Sequence, residues 1–213
     1  MRCLIFSGGD FHDPDWHRSQ IREGDYLIGA DRGAEHLLSM GFSPHLVVGD
    51  LDSLTIRSQE KLESSGVPIY RHPAGEEATD TELALGEAIK RSPEEIVILA
   101  GIGDRQDHSL ANIHLLVGYI QSRIPITIAT PAQIIWATDR NSLVKGFAGQ
   151  TVSLLSLSPQ VRGLTLEGFY YPLENAVLKM GSTLGISNIL LADEGKIILE
   201  EGLLLVVQFH PSY

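Results

Sequence analysis

The sequence contains a single cysteine, Cys3, so no disulfide can form within the chain. It lies in the apolar run CLIF, where a buried core thiol is expected, and a reducing compartment agrees with it. Positive charge is also scarce: 16 Lys and Arg stand against 27 Asp and Glu, a net charge of −11. That balance argues against general attraction to nucleic acid or to an anionic membrane surface. An anionic ligand would need local help from a cation, a metal ion or backbone N–H groups. No apolar run approaches the ~20 residues needed to span a bilayer. The opening MRCLIFSGGDFHD turns polar too early for a secretory signal. The expectation is a cytoplasmic protein with neither nucleic acid nor membrane as partner. Several catalytic signatures are missing as well. There is no G-x-x-x-x-G-K-[ST], no G-x-G-x-x-G and no G-x-S-x-G nucleophile elbow. The eight histidines are scattered without zinc-ligand spacing, and His12 and His17 read as surface loop residues.

What is present has two textures. The first half alternates short apolar runs with helical segments: RCLIFSGG, DYLIGADRG, HLVVGDLDS, VPIYRHP and EEIVILAGIG as strands. Between them AEHLLSMG, SQEKLESSG, DTELALGEAIKRS and DHSLANIHLLVGYIQSR have helix composition, two of them closing on glycine. Leu83, Ala84 and Ala88 would face inward on one helix, and Leu110, Ile113, Leu116 and Val117 on another. This alternation predicts a mostly parallel α/β, Rossmann-like domain over residues 1–128. From about residue 129 the pieces are short and strand-like, with turn residues between them, and predict a β-sandwich or barrel-like unit over 129–213.

Acidic residues recur at strand ends. Asp31 closes the second strand, Asp50 and Asp52 follow the third, Asp80 precedes a helix, and Asp107 follows the fifth strand. In an open α/β sheet that rim is where ligands bind. Two carboxylates one residue apart repel each other unless something positive joins them, and hard oxygen ligands suit Mg²⁺ carrying a polyphosphate. Each position has a plainer reading. DLDS could be a solvated turn capping a helix, Asp80 a helix cap, and Asp31 a turn residue. On the cationic side, GIGDRQDHSLAN offers glycines for close backbone approach, Arg105 as a fork for phosphate oxygens, and His108 and Asn112 nearby. A turn with a surface Arg is the plainer reading there. SGGD, with Gly8 and Gly9, is a weak phosphate-loop candidate.

Taken together, ADRGAEHLLSMGFSPHLVVGDLDS, ATDTELAL, GIGDRQDHSLAN and GLTLEGFYYPLENAVLKMGSTLGISN resemble the thiamine pyrophosphokinase family. Members of that family show A-D-G-G-A, G-D-[FL]-D-S, D-x-T-D-x-E, G-G-R-x-D-H and a late S-N. Four positions depart from the pattern: Arg32 and Asp104 replace glycines, Glu77 replaces an Asp, and Ile189 replaces a frequent Glu. The resemblance implies diphosphate transfer from ATP to thiamine, with Mg²⁺ held by Asp50, Asp52 and Asp80. It implies ATP contacts from Gly8, Gly9, Asp31, Thr79, Arg105, His108 and Asn112, with Asp31, Asp80 or Asp107 taking the hydroxyl proton. It places thiamine against Asp107, Ser187 and Asn188, with Tyr171 or Trp136 as a stacking face. It also implies a homodimer whose active sites are shared between subunits. Two alternatives stay open: a pyrophosphokinase acting on another hydroxymethyl acceptor such as a pterin, and a non-catalytic sensor of a nucleotide or thiamine compound.

Overall fold

The run RCLIF becomes β1 (Arg2–Phe6), in which Cys3, Leu4, Ile5 and Phe6 are all fully buried, as befits a strand covered on both faces. The structure is a computed structural model that describes residues 1–71 and 78–211. Glu77 therefore lies outside the described residues. The chain forms two units: Met1–Leu115 with Ser122–Pro131, and Leu116–Gln121 with the segment from Ala132 onward.

In the first unit β1 is followed by α1 (Pro14–Ser19), β2 (Tyr26–Ala30), α2 (Arg32–Ser39), β3 (Leu46–Val48) and α3 (Ile56–Ser65). Then come β4 (Ile69–Tyr70), α4 (Asp80–Ile89), β5 (Glu95–Leu99), α5 (Gln106–Gly118) and β6 (Ile126–Ala129). The strands pair in parallel in the order β6-β5-β1-β2-β3-β4. The chain starts in the middle, winds outward to β4, and returns to the other side of β1. The winding direction reverses between β1 and β5.

Local signals explain the helix ends. Thr55 caps α3 through Ser58 N–H, and Gly66 ends it at φ 70°. Thr79 caps α4 through Glu82 N–H. Helix α1 lies where the sequence reading expected a loop: Asp13 accepts from Trp16 N–H, and Pro14 starts the first turn. His17 on α1 is accordingly buried at 1% exposure, not a surface residue, while His12 is exposed. Two inward faces also differ from expectation. On α4 the buried apolar residues are Ala84, Leu85 and Ala88, with Leu83 half-buried. On α5, Leu110 is 56% exposed, because the face turned inward carries Ser109, Asn112 and Leu116 and Leu110 lies away from it.

The second unit continues with β7 (Gln133–Thr138), β8 (Ser142–Lys145), β9 (Thr151–Ser156), β10 (Gln160–Glu167) and β11 (Leu173–Lys179). It ends with β12 (Asn188–Ile189), β13 (Glu194–Ile198) and β14 (Leu204–Phe209). Two antiparallel sheets result, β12-β9-β14-β7 and β11-β10-β13-β8. Both feed one core, in which Val152, Leu154, Leu204 and Val206 of the first sheet meet Val144, Val161, Leu164 and Ile197 of the second. No helix among the described residues is long and apolar enough to cross a membrane.

Candidate active site

The reversal between β1 and β5 leaves a crevice at the carboxyl ends of these two strands, where open α/β sheets hold ligands. A cavity of about 730 Å³ lies there, lined by the 7–12 loop after β1 and by Gly101, Gly103, Asp104 and Arg105 after β5. The two loops prolong the parallel ladder: Ser7, Gly9 and Asp10 N–H groups donate to Leu99, Ala100 and Ile102 carbonyls at 2.8–2.9 Å. A Cβ on Gly9 would stand 2.5 Å from the Ala100 oxygen, so this approach requires glycine. Ser7 and Thr81 hydroxyls bond at 3.0 Å, tying the end of β1 to α4. Asn112 donates to the Gly101 carbonyl at 2.7 Å, and Ser109 bridges N and O of Gly103, so α5 holds the second loop.

Beside this cavity stand the carboxylates. Oxygens of Asp31, Asp50 and Asp52 lie within 4.8 Å of one another. The reason lies in the intervening residue. Leu51 has φ 70° and its side chain is 2% exposed in a core with Val47, Leu54 and Leu62. An apolar anchor at a left-handed residue leaves Asp50 and Asp52 exposed on either side of it. Asp52 N–H donates to Asp50 Oδ1 at 3.1 Å. The negative charge of Asp50, with smaller contributions from desolvation and Asp31, pushes the Asp52 carboxyl above its ordinary value. Asp31 also has positive φ, 47°, and does not cap α2 with its side chain. Its Oδ2 accepts from the Ser53 hydroxyl, while the buried Oδ1 has no hydrogen-bond partner. Three carboxylates in mutual repulsion, with a buried oxygen of Asp31 left unmatched, fit a hard divalent cation. Asp80 is not one of this trio. Its carboxyl lies nearby, so that a Cβ on Gly49 (φ 131°) would come 3.0 Å from Asp80 Oδ1 and 3.3 Å from the Asp31 Cβ.

Arg105 and His108 line the cavity. The Arg105 guanidinium makes a two-pronged contact with Asp107, Nε to Oδ1 at 3.0 Å and Nη2 to Oδ2 at 2.6 Å. This contact holds the Asp107 carboxyl far below the usual carboxylate range. Thr79 is taken up as the α4 cap and is not part of the cavity wall, where Thr81 stands instead. The sequence reading also missed Phe11 and His36, whose rings stack at 4.2 Å and 11° on the cavity wall. Burial, with help from His17 and Arg32, lowers His36 to about 4, so it is neutral near pH 7. No local pattern marks this pair, because it joins a loop to a helix 25 residues away.

In the second unit, Asn188 is 3% exposed and serves the backbone. It accepts from Tyr171 N–H and Ile189 N–H and donates to the Tyr171 carbonyl at 2.8 Å. The Tyr171 ring is 58% exposed and packs edge-on against Tyr170. Ser187 is exposed at φ 57°, with its N–H on the Ser153 hydroxyl. Trp136 packs against the core and donates to Gln208, so it is a core-edge residue within this unit.

Comparison with known proteins decides the family. Residues 17–128 match the model described as "Thiamin pyrophosphokinase, catalytic domain", and residues 140–204 match "Thiamin pyrophosphokinase, vitamin B1 binding domain". The chain belongs to the thiamin pyrophosphokinase family. A thiamine pyrophosphokinase of Bacillus subtilis is 32% identical over 183 residues, covering 85% of this chain and 86% of its own. The crystal structure of thiamine pyrophosphokinase from Bacillus subtilis superposes with a TM-score of 0.90 at 28% identity, covering 99% of this chain and 100% of its own. Yeast thiamin pyrophosphokinase, at 17% identity and a TM-score of 0.79, shares the fold over 98% of this chain and 86% of its own. Within the thiamin pyrophosphokinase match, the carboxylate trio, Arg105 and Asp107 lie in the catalytic segment, and Tyr171, Ser187 and Asn188 in the vitamin-binding segment. Gly8 and Gly9 precede the matched range.

Proposed function

We propose that this protein transfers the diphosphate of ATP to the hydroxyl of thiamine, releasing AMP. The observation that carries the reading is the carboxylate trio Asp31, Asp50 and Asp52 beside a glycine-floored crevice, in a chain of the thiamin pyrophosphokinase family. In this reading the first unit is a Rossmann-like catalytic domain and the second a thiamine-binding and dimerisation domain, with the boundary near residue 128. A cytoplasmic setting is part of the proposal, since ATP is the donor.

The chemistry needs a nucleophile freed of its proton, an aligned chain of phosphates and neutralised charge. Asp50 and Asp52, with Asp31 or Asp80, would hold Mg²⁺, which when bound supplies charge neutralisation for the phosphate tail. The Gly8–Gly9 loop lets backbone approach the nucleotide, with Asn112 fixing the loop opposite and His108 at the wall. The thiamine hydroxyl oxygen attacks the β-phosphorus, and the bond from that phosphorus to the α,β-bridging oxygen breaks, so that AMP leaves and the β,γ-diphosphate stays on thiamine. Asp107, held by Arg105, is a weak proton acceptor, which favours Asp31 or Asp80 as the group that takes the hydroxyl proton. Arg105 can grip phosphate oxygens only by turning from Asp107. Thr79 then contributes by starting α4, which carries Asp80 to the rim. Asn188 would act by shaping the backbone at Tyr171, and Ser187 and the Tyr171 ring by meeting thiamine directly.

A homodimer with shared active sites belongs to the same reading. Its support is the set of exposed apolar side chains on the second unit, among them Tyr170, Tyr171, Met180, Leu184 and Leu191. The test is incubation of the pure protein with ATP, Mg²⁺ and thiamine, scored for AMP and thiamine diphosphate. Thiamine-independent AMP, or no loss of turnover on chelation of divalent ions, would overturn the reading. Sedimentation at micromolar concentration tests the dimer.

A further inference from the structure

The cavity after β1 and β5 is lined by two arginines, Arg32 and Arg105, and three acids, Asp10, Asp31 and Asp104. A polyphosphate tail is strongly anionic, so the cation free to meet it matters. Arg105 is committed to Asp107 by two hydrogen bonds. Arg32 is not in an ion pair among the described residues. The reason is geometric. Its nearest acids in sequence are engaged elsewhere: Asp31 with Ser53 and beside Asp50 and Asp52, and Glu35 accepting from Thr55 and Ser58 of the α3 region at 2.8 and 3.1 Å.

The position of Arg32 is also fixed. It begins α2, and the next residue, Gly33, lies so close to the end of β1 that a Cβ there would stand 1.7 Å from the Phe6 oxygen. The Arg32 Cβ in turn lies 3.3 Å from where a Gly8 side chain would begin. The first turn of α2 is therefore pressed onto the Ser7–Gly9 loop, with no side chain between, and its positive end adds to the charge of Arg32.

Resting on the function proposed above, we infer that Arg32 is the phosphate-gripping residue of this nucleotide site, holding the tail of ATP from the glycine-loop side. Asp31, Asp50 and Asp52 would hold a divalent cation that neutralises the same tail. Arg105 is then the lesser contributor, because its turn toward a ligand must break the Asp107 contact.

The test is calorimetric titration of the full-length protein with α,β-methylene ATP and, separately, with adenosine, at two salt concentrations. Arg32→Ala should weaken the triphosphate analogue about 10- to 100-fold, leave adenosine within about 3-fold, and flatten the salt dependence. Arg32→Lys should recover part of the loss, and Arg105→Ala should weaken the analogue less than Arg32→Ala. Equal losses for analogue and adenosine, no loss at all, or a larger effect from Arg105→Ala would overturn the inference. The readout is binding, so a failure of the thiamine reaction would be seen separately, as wild-type protein that binds the analogue but makes no thiamine diphosphate.

Discussion

The two units organise buried and strained residues in different ways. In the first, the parallel sheet is a plain apolar interior, and at its carboxyl rim Asp31, Leu51 and Ala100 have positive φ at or just after strand ends. In the second, two antiparallel sheets close over a continuous core, and the irregular Ser187 stands on a loop beside Asn188, whose amide is matched to backbone. The lesson is a division of labour. The first unit gathers repelling carboxylates at the rim beside its cavity, one of them with a buried oxygen that has no hydrogen-bond partner. In the second the amide of Asn188 is matched to backbone, while apolar side chains such as Tyr171 and Leu184 lie exposed.

Four measurements would break or sharpen that contrast. The largest effect belongs to Asp52→Ala, expected to reduce thiamine diphosphate formation on the order of 100-fold or more while thermal unfolding is unchanged or improved, because a repelling charge is removed. A drop in melting temperature as large as that of a core variant would erase the distinction between rim and core. In the second unit, Leu154→Ala should lower stability by about 2–5 kcal/mol in urea unfolding, with turnover per folded molecule retained. Next, Asn188→Ala leaves the Tyr171 N–H and carbonyl without their partner, a loss of about 1–3 kcal/mol. It should also raise the KM for thiamine more than that for ATP. A larger effect on ATP would contradict the assignment of this segment.

The smallest effect is pH dependence in the first unit. His36 is lowered from 6.5 to about 4, chiefly by burial, and His17 is lowered for the same leading reason. Below pH 6.5 the unfolded chain takes up protons that folded His36 refuses. The stability that neutral His36 permits is thus full above pH 6.5 and falls as pH drops toward 4. Replacing His36 with Gln should flatten stability across that window, leaving a smaller slope from His17. An unchanged slope would show that neither the Phe11 stack nor burial controls its protonation.

Much of the first unit was legible because covered parallel strands are unbroken apolar runs and the acids recur at their ends. What could not be read was the company those acids keep. Asp31 stands beside Asp50 and Asp52 with positive φ at both Asp31 and Leu51, a backbone conformation no spacing rule announces for Asp or Leu. Thr79 and Thr81 are two residues apart, and the sequence could not tell which caps α4 and which lines the crevice. Helix α1 did carry its signal, Asp13 followed by Pro14, but six residues give too little periodicity to see. Leu110 shows the limit of apolarity as a sign of burial: the inward face of α5 is held by Ser109 and Asn112 and Leu110 is exposed.

Leu51 joins two tasks usually kept apart. Its side chain is a peg in the packing under α3, and its backbone is the pivot that sets Asp50 and Asp52 on either side of it. Assembly of that small apolar patch and readiness of the acidic pair are therefore a single event: the chain cannot loosen one without disarming the other.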